Sequence, residues 1–250
     1  MYEQRRPMAV GDIMEAGFRV LMTHWRPLLL VHGLAALPGL MVTVATTVPE
    51  GQDINTEMMF FGFASMILVY PLTTGAGIKV AADVLGAQVP NLSEAIEYAV
   101  ERYVSLLWAG WLMGFCVCLG FIFLIFPGFY VALRLCFTNH VVTLSESRGG
   151  KALGKSGDLM EGHYLRVGML IVVCALLGAV FGYGSGFLLS ALDVVDMGSE
   201  GGSSLSFEMA VSVANVVPAA FLSVCMTIAF LDRLHLAEVP QAYQSMSSVP

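Results

Sequence analysis

The feature that most constrains this chain is a series of long stretches without a charged residue. Such a stretch occurs five times, over residues 27–49, 58–78, 103–133, 167–192 and 209–231. A helix needs about 20 apolar residues to cross roughly 30 Å of hydrocarbon, and each stretch is long enough for at least one crossing. Only 12% of the residues are charged, whereas about 25% are charged in a typical soluble domain. The chain has too little charge to cover a water-facing surface, so a soluble protein is excluded.

The third stretch is too long for a single crossing. From residue 103 to residue 145 the only charge is Arg134, and at about 1.5 Å per residue this segment is roughly twice as long as a bilayer is thick. Pro127-Gly128 lies near its middle, where a helix can end and the chain can reverse. We therefore predict an all-α integral membrane protein with six transmembrane helices, of which the fourth is the shortest and most polar.

The positions of Lys and Arg test this span count independently. Apart from Arg134, they fall before the first span, between the second and third, between the fourth and fifth, and after the sixth. The predicted loops on the other side, residues 50–57, 127–128 and 193–208, contain none. Because cytoplasmic loops carry the excess of Lys and Arg, the N-terminus and the C-terminus are both predicted to be cytoplasmic. The formal net charge is −7, and we expect no nucleic-acid partner.

A short amphipathic segment precedes each odd-numbered span, with apolar residues on one helical face and charged residues on the other. The chain is therefore predicted as a single membrane domain, 1–236, followed by a short polar tail, 237–250. The domain divides into three units of an interfacial helix and a two-span hairpin, which cover approximately residues 11–88, 90–146 and 150–232.

The three predicted units can be aligned on three short residue pairs, namely Glu15-Ala16, Glu94-Ala95 and Lys151-Ala152. Each unit contains two spans, so all three have the same orientation and their pseudo-symmetry axis runs along the membrane normal. The alternative is that the three amphipathic segments are unrelated linkers.

One part of the sequence resembles a known family. The residues concerned are Pro127-Gly128-Phe129-Tyr130, Arg134, Ala152-Leu153-Gly154-Lys155-Ser156, Leu159, Gly162-His163-Tyr164 and Arg166-Val167. They are similar to the pattern of a bacterial membrane-domain family that is fused, in some members, to a glycerophosphodiester phosphodiesterase. Other members are stand-alone proteins of bacterial inner membranes. Here Gly157 and Gly154 stand where family members often carry an aromatic and a basic residue.

The resemblance implies a multi-pass protein of the bacterial inner membrane with cytoplasmic helices. Since these 250 residues hold no second domain with the catalytic residues of the phosphodiesterase, that activity is not implied.

Arg134 is the most distinctive candidate site residue because it lies inside a predicted span. A charge there costs about 2.5 to 3.5 kcal/mol on insertion scales and marks either a function or a specific partner. The functional interpretation is an anion or headgroup contact, with Asn139 and His140 further along the same span. The structural interpretation, which we favour, is that Arg134 snorkels to the outer surface or pairs with Glu57 or Glu208.

A glycine repeat marks the fifth span, at Gly178, Gly182 and Gly186. Glycines four residues apart leave a flat face on which another helix can approach closely. Gly110 and Gly114 on the third span offer a matching patch. The partner of the stripe is expected to be another span of the same chain rather than a second subunit.

The sequence contains no nucleophile, phosphate-binding or metal-ligand motif in a suitable context. Its five cysteines are scattered through apolar stretches. We therefore expect no enzyme activity, no cofactor and no metal, and predict a non-enzymatic structural or accessory component of a membrane assembly. Its partners would be membrane lipids and other membrane protein subunits. The alternative is a transporter or channel for a small or lipid-like solute, since Arg134 is intramembrane and prolines interrupt three spans (Pro38, Pro71, Pro218).

Overall fold

The computed structural model describes residues 7–47, 54–145, 147–192, 194–195 and 204–247, with side chains up to His235. Over these residues the regular structure is entirely helical. The helices are α1 (Val10–Thr23), α2 (Trp25–Thr46), α3 (Thr56–Leu85), α4 (Leu92–Glu101), α5 (Tyr103–Phe123), α6 (Ile125–Arg134), α7 (Thr138–Leu144), α8 (Gly150–Met160), α9 (Tyr164–Ala191), α10 (Leu205–Ala214) and α11 (Val216–Ser247).

Six helical segments of the described chain are long and apolar enough to cross a membrane. They are α2, α3, α5, α6 with α7, α9, and α10 with α11. The prediction of an all-α, multi-pass membrane protein with six spans is therefore confirmed. The fourth segment has the lowest mean hydropathy of the six, 1.2, as its single charge and polar residues suggested.

The chain reverses between the third and fourth spans at a different residue from the one predicted. Leu124 is extended, with φ −169° and ψ 153°, and it separates α5 from α6. Pro127 and Gly128 lie inside the first turn of α6 instead. Proline is tolerated there because the backbone N–H groups of a first turn have no partner within the helix. Gly128 packs closely on Gly120 across the reversal.

Two spans are broken and two proline-containing spans are not. The fourth is interrupted between α6 and α7, and the sixth at Asn215, between α10 and α11. Pro38 and Pro71 lie within α2 and α3, which run through them without a break. The segment 237–250, predicted as a tail, continues α11 as far as Ser247. Its alanine, glutamate and glutamine residues are good helix formers.

The spans form an inner and an outer group. The inner helices α3, α7 and α11 contact one another: α3 packs on both α7 and α11, and the rings of Phe137 and His140 lie against Phe230 of α11. Each outer helix, α2, α5 or α9, packs on the inner partner of its own hairpin and on a helix of the preceding hairpin. The first hairpin follows the third in this order, so the arrangement is cyclic.

The amphipathic helices continue the cyclic pattern. α4 packs mainly on α3, α8 on α7, and α1 on α11, so each lies on the second span of the preceding hairpin. α1 closes the ring, since a Cβ added at Gly17 would lie 2.5 Å from Cys225 Sγ of α11. We refer to the side of the bundle that carries α1, α4 and α8 as the amphipathic side.

A short break in helical structure separates each amphipathic helix from the span that follows. The breaks end at His24, Arg102 and His163, whose φ values lie between −127° and −102°. An aromatic residue follows each one. Counted back from these breaks, the residues three and seven positions earlier are buried in all three helices: Leu21, Ala99, Met160, Gly17, Ala95 and Ser156.

This register agrees with three repeated units, and it corrects the alignment made from sequence. Relative to Glu94-Ala95, the pair Glu15-Ala16 is one residue out of step and Lys151-Ala152 is four residues out of step. Four residues are about one helical turn, so the third pair kept the correct face in the wrong turn.

Candidate functional site

Arg134 ends α6 and lies against α8, on the amphipathic side. Ser156 Oγ of α8 donates a 3.0 Å hydrogen bond to the carbonyl oxygen of Arg134. A Cβ added at the next residue, Gly157, would lie 2.7 Å from Arg134 Nε. The small residues of α8 therefore let the guanidinium pass directly over the helix, while the Arg134 side chain stays exposed.

Two tyrosines lie near Arg134, where α6 meets α9. The rings of Tyr130 and Tyr164 are 5.2 Å apart, and their hydroxyl oxygens are separated by 3.4 Å. Tyr130 and Arg134 are four residues apart in one helix and so share a face of α6. We call Tyr130, Arg134, Gly157 and Tyr164 the Arg134 surface. It combines a guanidinium with phenol groups, which is a chemistry suited to a phosphate or a lipid headgroup.

The predicted structural role of Arg134 is wrong in its details. Arg134 forms no ion pair with any described residue, so neither Glu57 nor Glu208 is its partner. It lies beside α8 on the amphipathic side rather than at the opposite end of the bundle, where the snorkelling interpretation placed it. The physical reason is the break between α6 and α7, which ends α6 early and lets α8 reach its last turn. The predicted headgroup contact stays a prediction.

His140 lies in a different environment from Arg134. Its side chain is only 7% exposed and is enclosed by the rings of Phe137 and Phe230, at centroid distances of 5.8 and 5.5 Å. Neither ring nitrogen has a hydrogen-bond partner among the described residues. His140 and Arg134 therefore do not form one site. His32 differs again, because its Nδ1 bonds the carbonyl oxygen of Leu28 at 2.8 Å.

Three more buried polar atoms of the described residues lack a hydrogen-bond partner. Two lie on α7 beside His140 and one lies on α5, which packs on α7. Thr138 Oγ1 and Asn139 Oδ1 of α7 and Ser105 Oγ of α5 are buried, and each lacks a hydrogen bond within the described structure. An unpaired buried polar group costs about 1–3 kcal/mol. Sequence reasoning identified Asn139 and His140 only as helpers of Arg134, since it treated the fourth span as one straight helix.

The glycine stripe of the fifth span packs within the chain, as expected. A Cβ added at Gly178 would lie 3.3 Å from Pro218, and one at Gly182 would lie 2.6 Å from the Asn215 amide. At Gly186 the nearest atom would be Val211 Cγ2, at 2.8 Å. The broken sixth span therefore packs against the glycine stripe. At the break, Asn215 occupies the space that a larger side chain at position 182 would fill.

The glycine patch of the third span does not match that stripe. An added Cβ at Gly110 or Gly114 would have no atom within 4 Å among the neighbours described. Both residues are partly exposed on α5. The suggested complementarity between the two glycine sets is therefore wrong, because α9 packs on α10, α11 and α6 instead.

Sequence reasoning missed two charged clusters on the amphipathic side. In the first, Lys79 pairs with Asp83, and both Lys79 and Arg102 lie over the ring of Tyr98. The second joins Arg166 of α9 with Asp232 and Arg233 of α11. Lys79 and Asp83 are four residues apart, which is a recognisable helical spacing. No local pattern could have linked Arg166 to Asp232.

The described residues contain no group of three or more His, Cys, Asp or Glu side chains that could hold a metal ion. No protein-family model, curated protein or solved structure matches this chain in comparisons with known proteins.

Proposed function

We propose that this six-span protein is a non-enzymatic component of an assembly in a bacterial inner membrane, with its amphipathic side facing the cytoplasm. The observation that supports the proposal is that α1, α4 and α8 each pack in a defined position on the bundle. Each is held on an inner helix of the neighbouring hairpin, and its charged face remains exposed. A rigid set of charged helix faces at one membrane surface is suited to positioning a partner subunit.

The charged faces of α4 and α8 differ in composition. Glu94, Glu97 and Glu101 are exposed on α4, whereas α8 exposes both Lys151 and Asp158, and Arg134 lies beside it. Complementary charge on a partner determines its orientation and raises its association rate more than its affinity. The exposed charged faces of α1, α4 and α8, which we call the platform, therefore favour a partner that presents both a basic and an acidic region.

Charge-reversal variants test the proposed platform. Glu97→Lys and Lys151→Glu are each made in the full-length chain, and the complex extracted in mild detergent is compared with that of the unaltered protein. We expect each variant to lose its co-purifying subunit while its own yield is maintained. Glu57→Lys, at the start of α3 on the other side, is the matched control and is expected to keep the subunit. A chain that always purifies alone contradicts the accessory role.

The orientation rests on the asymmetric distribution of Lys and Arg and on the resemblance to stand-alone inner-membrane proteins. Single cysteines introduced at Gly11 and at Asn55, in a variant without native cysteines, test it. Both residues are exposed. A membrane-impermeant thiol reagent added to intact cells is expected to label position 55 and to spare position 11. Labelling in the reverse order would place α1 outside the cell.

A second candidate function is the transport of protons or a small polar solute. The unpartnered polar atoms of Thr138, Asn139 and His140 favour it, because they lie on an inner helix of the bundle. Proteoliposomes loaded with a pH-sensitive dye would show a proton flux that His140→Phe abolishes, with Asn55→Ala as control. Absence of flux with the unaltered protein would remove proton transport.

A further inference from the structure

A small cluster of three charged side chains is buried on the amphipathic side, where α1, α9 and α11 meet. Arg166 Nη1 lies 3.9 Å and Arg233 Nη2 lies 3.8 Å from the same atom, Asp232 Oδ2. The exposed fractions of the side chains are 19% for Arg166, 13% for Asp232 and 6% for Arg233. Both arginines are therefore drawn toward one carboxylate oxygen.

The charges of this cluster do not balance. Arginine stays protonated in proteins, so two positive charges face one negative charge. Both nitrogen–oxygen distances are too long for a hydrogen bond. Neither guanidinium donates a hydrogen bond to any described residue, and Arg166 Nη2 is fully buried without a partner. Since a buried charge is costly without a partner, the described residues leave the cluster short of one anion.

The surroundings of the cluster indicate what kind of anion fits. The adjoining pocket is lined by Ile13, Val167, Leu170 and Ala229 in addition to the charged residues, and it has room for about one water molecule. Leu165 and Met169, on either side of Arg166 in α9, are strongly exposed and face the surroundings of the bundle. The arginines thus lie behind an apolar helix face, at the end of a span.

We propose that Arg166 and Arg233 bind the phosphate group of an anionic phospholipid from the leaflet on the amphipathic side. The planar fork of a guanidinium matches two phosphate oxygens. The phosphate lies at the mouth of the pocket and supplies the missing negative charge, while the acyl chains cover the exposed face of α9 at Leu165 and Met169. This site is separate from the Arg134 surface, and it does not depend on the proposed accessory role.

Thermal unfolding of the full-length chain in a neutral detergent tests the site. Phosphatidylglycerol, phosphatidylcholine and inorganic phosphate are each titrated into the purified protein. We expect phosphatidylglycerol to raise the unfolding temperature, since a ligand that binds the native state stabilises it, and phosphatidylcholine to have no such effect. Equal effects of the two lipids overturn the proposal. An equal effect of inorganic phosphate retains the anion site but overturns its assignment to a lipid.

Substitutions then locate the site. Arg166→Gln and Arg233→Gln are each expected to weaken phosphatidylglycerol binding roughly tenfold to a hundredfold, because each removes a charge-assisted contact. Arg19→Gln on α1 removes the same charge from an exposed position and is expected to leave binding unchanged. Retention of full binding by both cluster variants overturns the proposal.

Asp232→Asn gives a readout that keeps both arginines, and it is measured on variant protein whose cooperative unfolding shows that it is folded. Removing the carboxylate that competes for both guanidinium groups is expected to tighten phosphatidylglycerol binding several-fold. A self-contained cluster of ion pairs with no ligand would show no such gain. Native mass spectrometry of the unaltered protein and of this variant, each with equal parts of both lipids, reports the bound phospholipid directly.

Discussion

The C-terminal end of α3 and the part of α11 around Asp232 occupy equivalent places in the cyclic packing, yet their charges are arranged differently. At the end of α3, Lys79 and Arg102 face two acids, Asp83 and Glu101. The centroid of the Tyr98 ring lies 5.4 Å from Lys79 Nζ and 3.8 Å from Arg102 Cζ. At Asp232 of α11, two arginines share a single carboxylate.

The two places share their helix packing but differ in their charge balance. In both places an amphipathic helix lies on an inner helix through small residues, at Gly75 with Ala99 and at Gly17 with Cys225. We call each of these contacts between an amphipathic helix and an inner helix a joint. The close approach of small residues is common to the joint at α3 and the joint at α11. The charge balance differs. Among the described residues the charges of the joint at α3 are balanced, whereas the joint at α11 has one positive charge without a partner.

The largest expected difference between the joints follows from removing their acids. Asp232→Ala leaves two arginines without a counter-charge and is expected to lower the free energy of unfolding by about 3–5 kcal/mol. Asp83→Ala should cost about 1 kcal/mol, since Lys79 can move toward Tyr98 and water. Unfolding in neutral detergent, titrated with a denaturing detergent, measures both. Equal losses would remove the distinction between the joints.

The next effect concerns the helix contact that closes the ring. Gly17→Ala would place a Cβ 2.5 Å from Cys225 Sγ and is expected to cost about 1–3 kcal/mol through overpacking. Gly11→Ala in the same helix meets no atom within 4 Å and serves as its control. In the joint at α3, Gly75→Ala meets a movable Leu106 methyl group at 2.6 Å. If Gly75→Ala costs as much as Gly17→Ala, the ring closure is no tighter than the other joint.

A smaller effect is expected at Tyr98, whose hydroxyl donates a 2.6 Å hydrogen bond to the carbonyl oxygen of Thr143. Tyr98→Phe keeps the ring that faces both cations and removes this bond, for a loss of about 1 kcal/mol. Tyr70→Phe, exposed on the same bundle, controls for loss of a hydroxyl. A loss well above that of one hydrogen bond would mean that the hydroxyl also orders the cations.

The smallest expected effect is at the exposed pair of Arg19 and Glu15, which are joined at 2.9 Å on α1. Because solvent screens the pair, Arg19→Gln should change the free energy of unfolding by no more than about 0.5 kcal/mol. The same titration measures it. A loss comparable to that of Asp232→Ala would show that charge on α1 matters wherever it lies, and not only in the buried cluster.

The spans and amphipathic helices could be predicted because their signals are local. An uncharged stretch longer than a bilayer, or an apolar stripe at helical spacing, is contained within a few turns of the chain. The same holds for the pairing of the Gly182 stripe within the chain, which small residues four apart favour.

The breaks and the charged cluster could not be predicted in the same way. The chain reverses at Leu124 rather than at Pro127-Gly128, and the reversal brings Gly128 close to Gly120. This approach depends on two helices at once, so no local pattern in the sequence indicates it. Arg166 and Asp232 meet only after the last span has packed on the fifth, so no spacing in the sequence relates them. The repeated dipeptides His24-Trp25, Arg102-Tyr103 and His163-Tyr164 were a usable signal for the register of the units.

The contact between α1 and α11 also has a consequence for how the protein is made. Ile13 and Cys225 lie 212 residues apart in the chain, so α1 docks on a helix that the ribosome makes much later. Until α11 is made, the apolar face of α1 lacks its main protein partner, since α1 packs mainly on α11 and only slightly on α2 and α9. The ring thus closes only after α11 has been made, and a nascent chain that stops before α11 keeps much of that face accessible to chaperones and proteases.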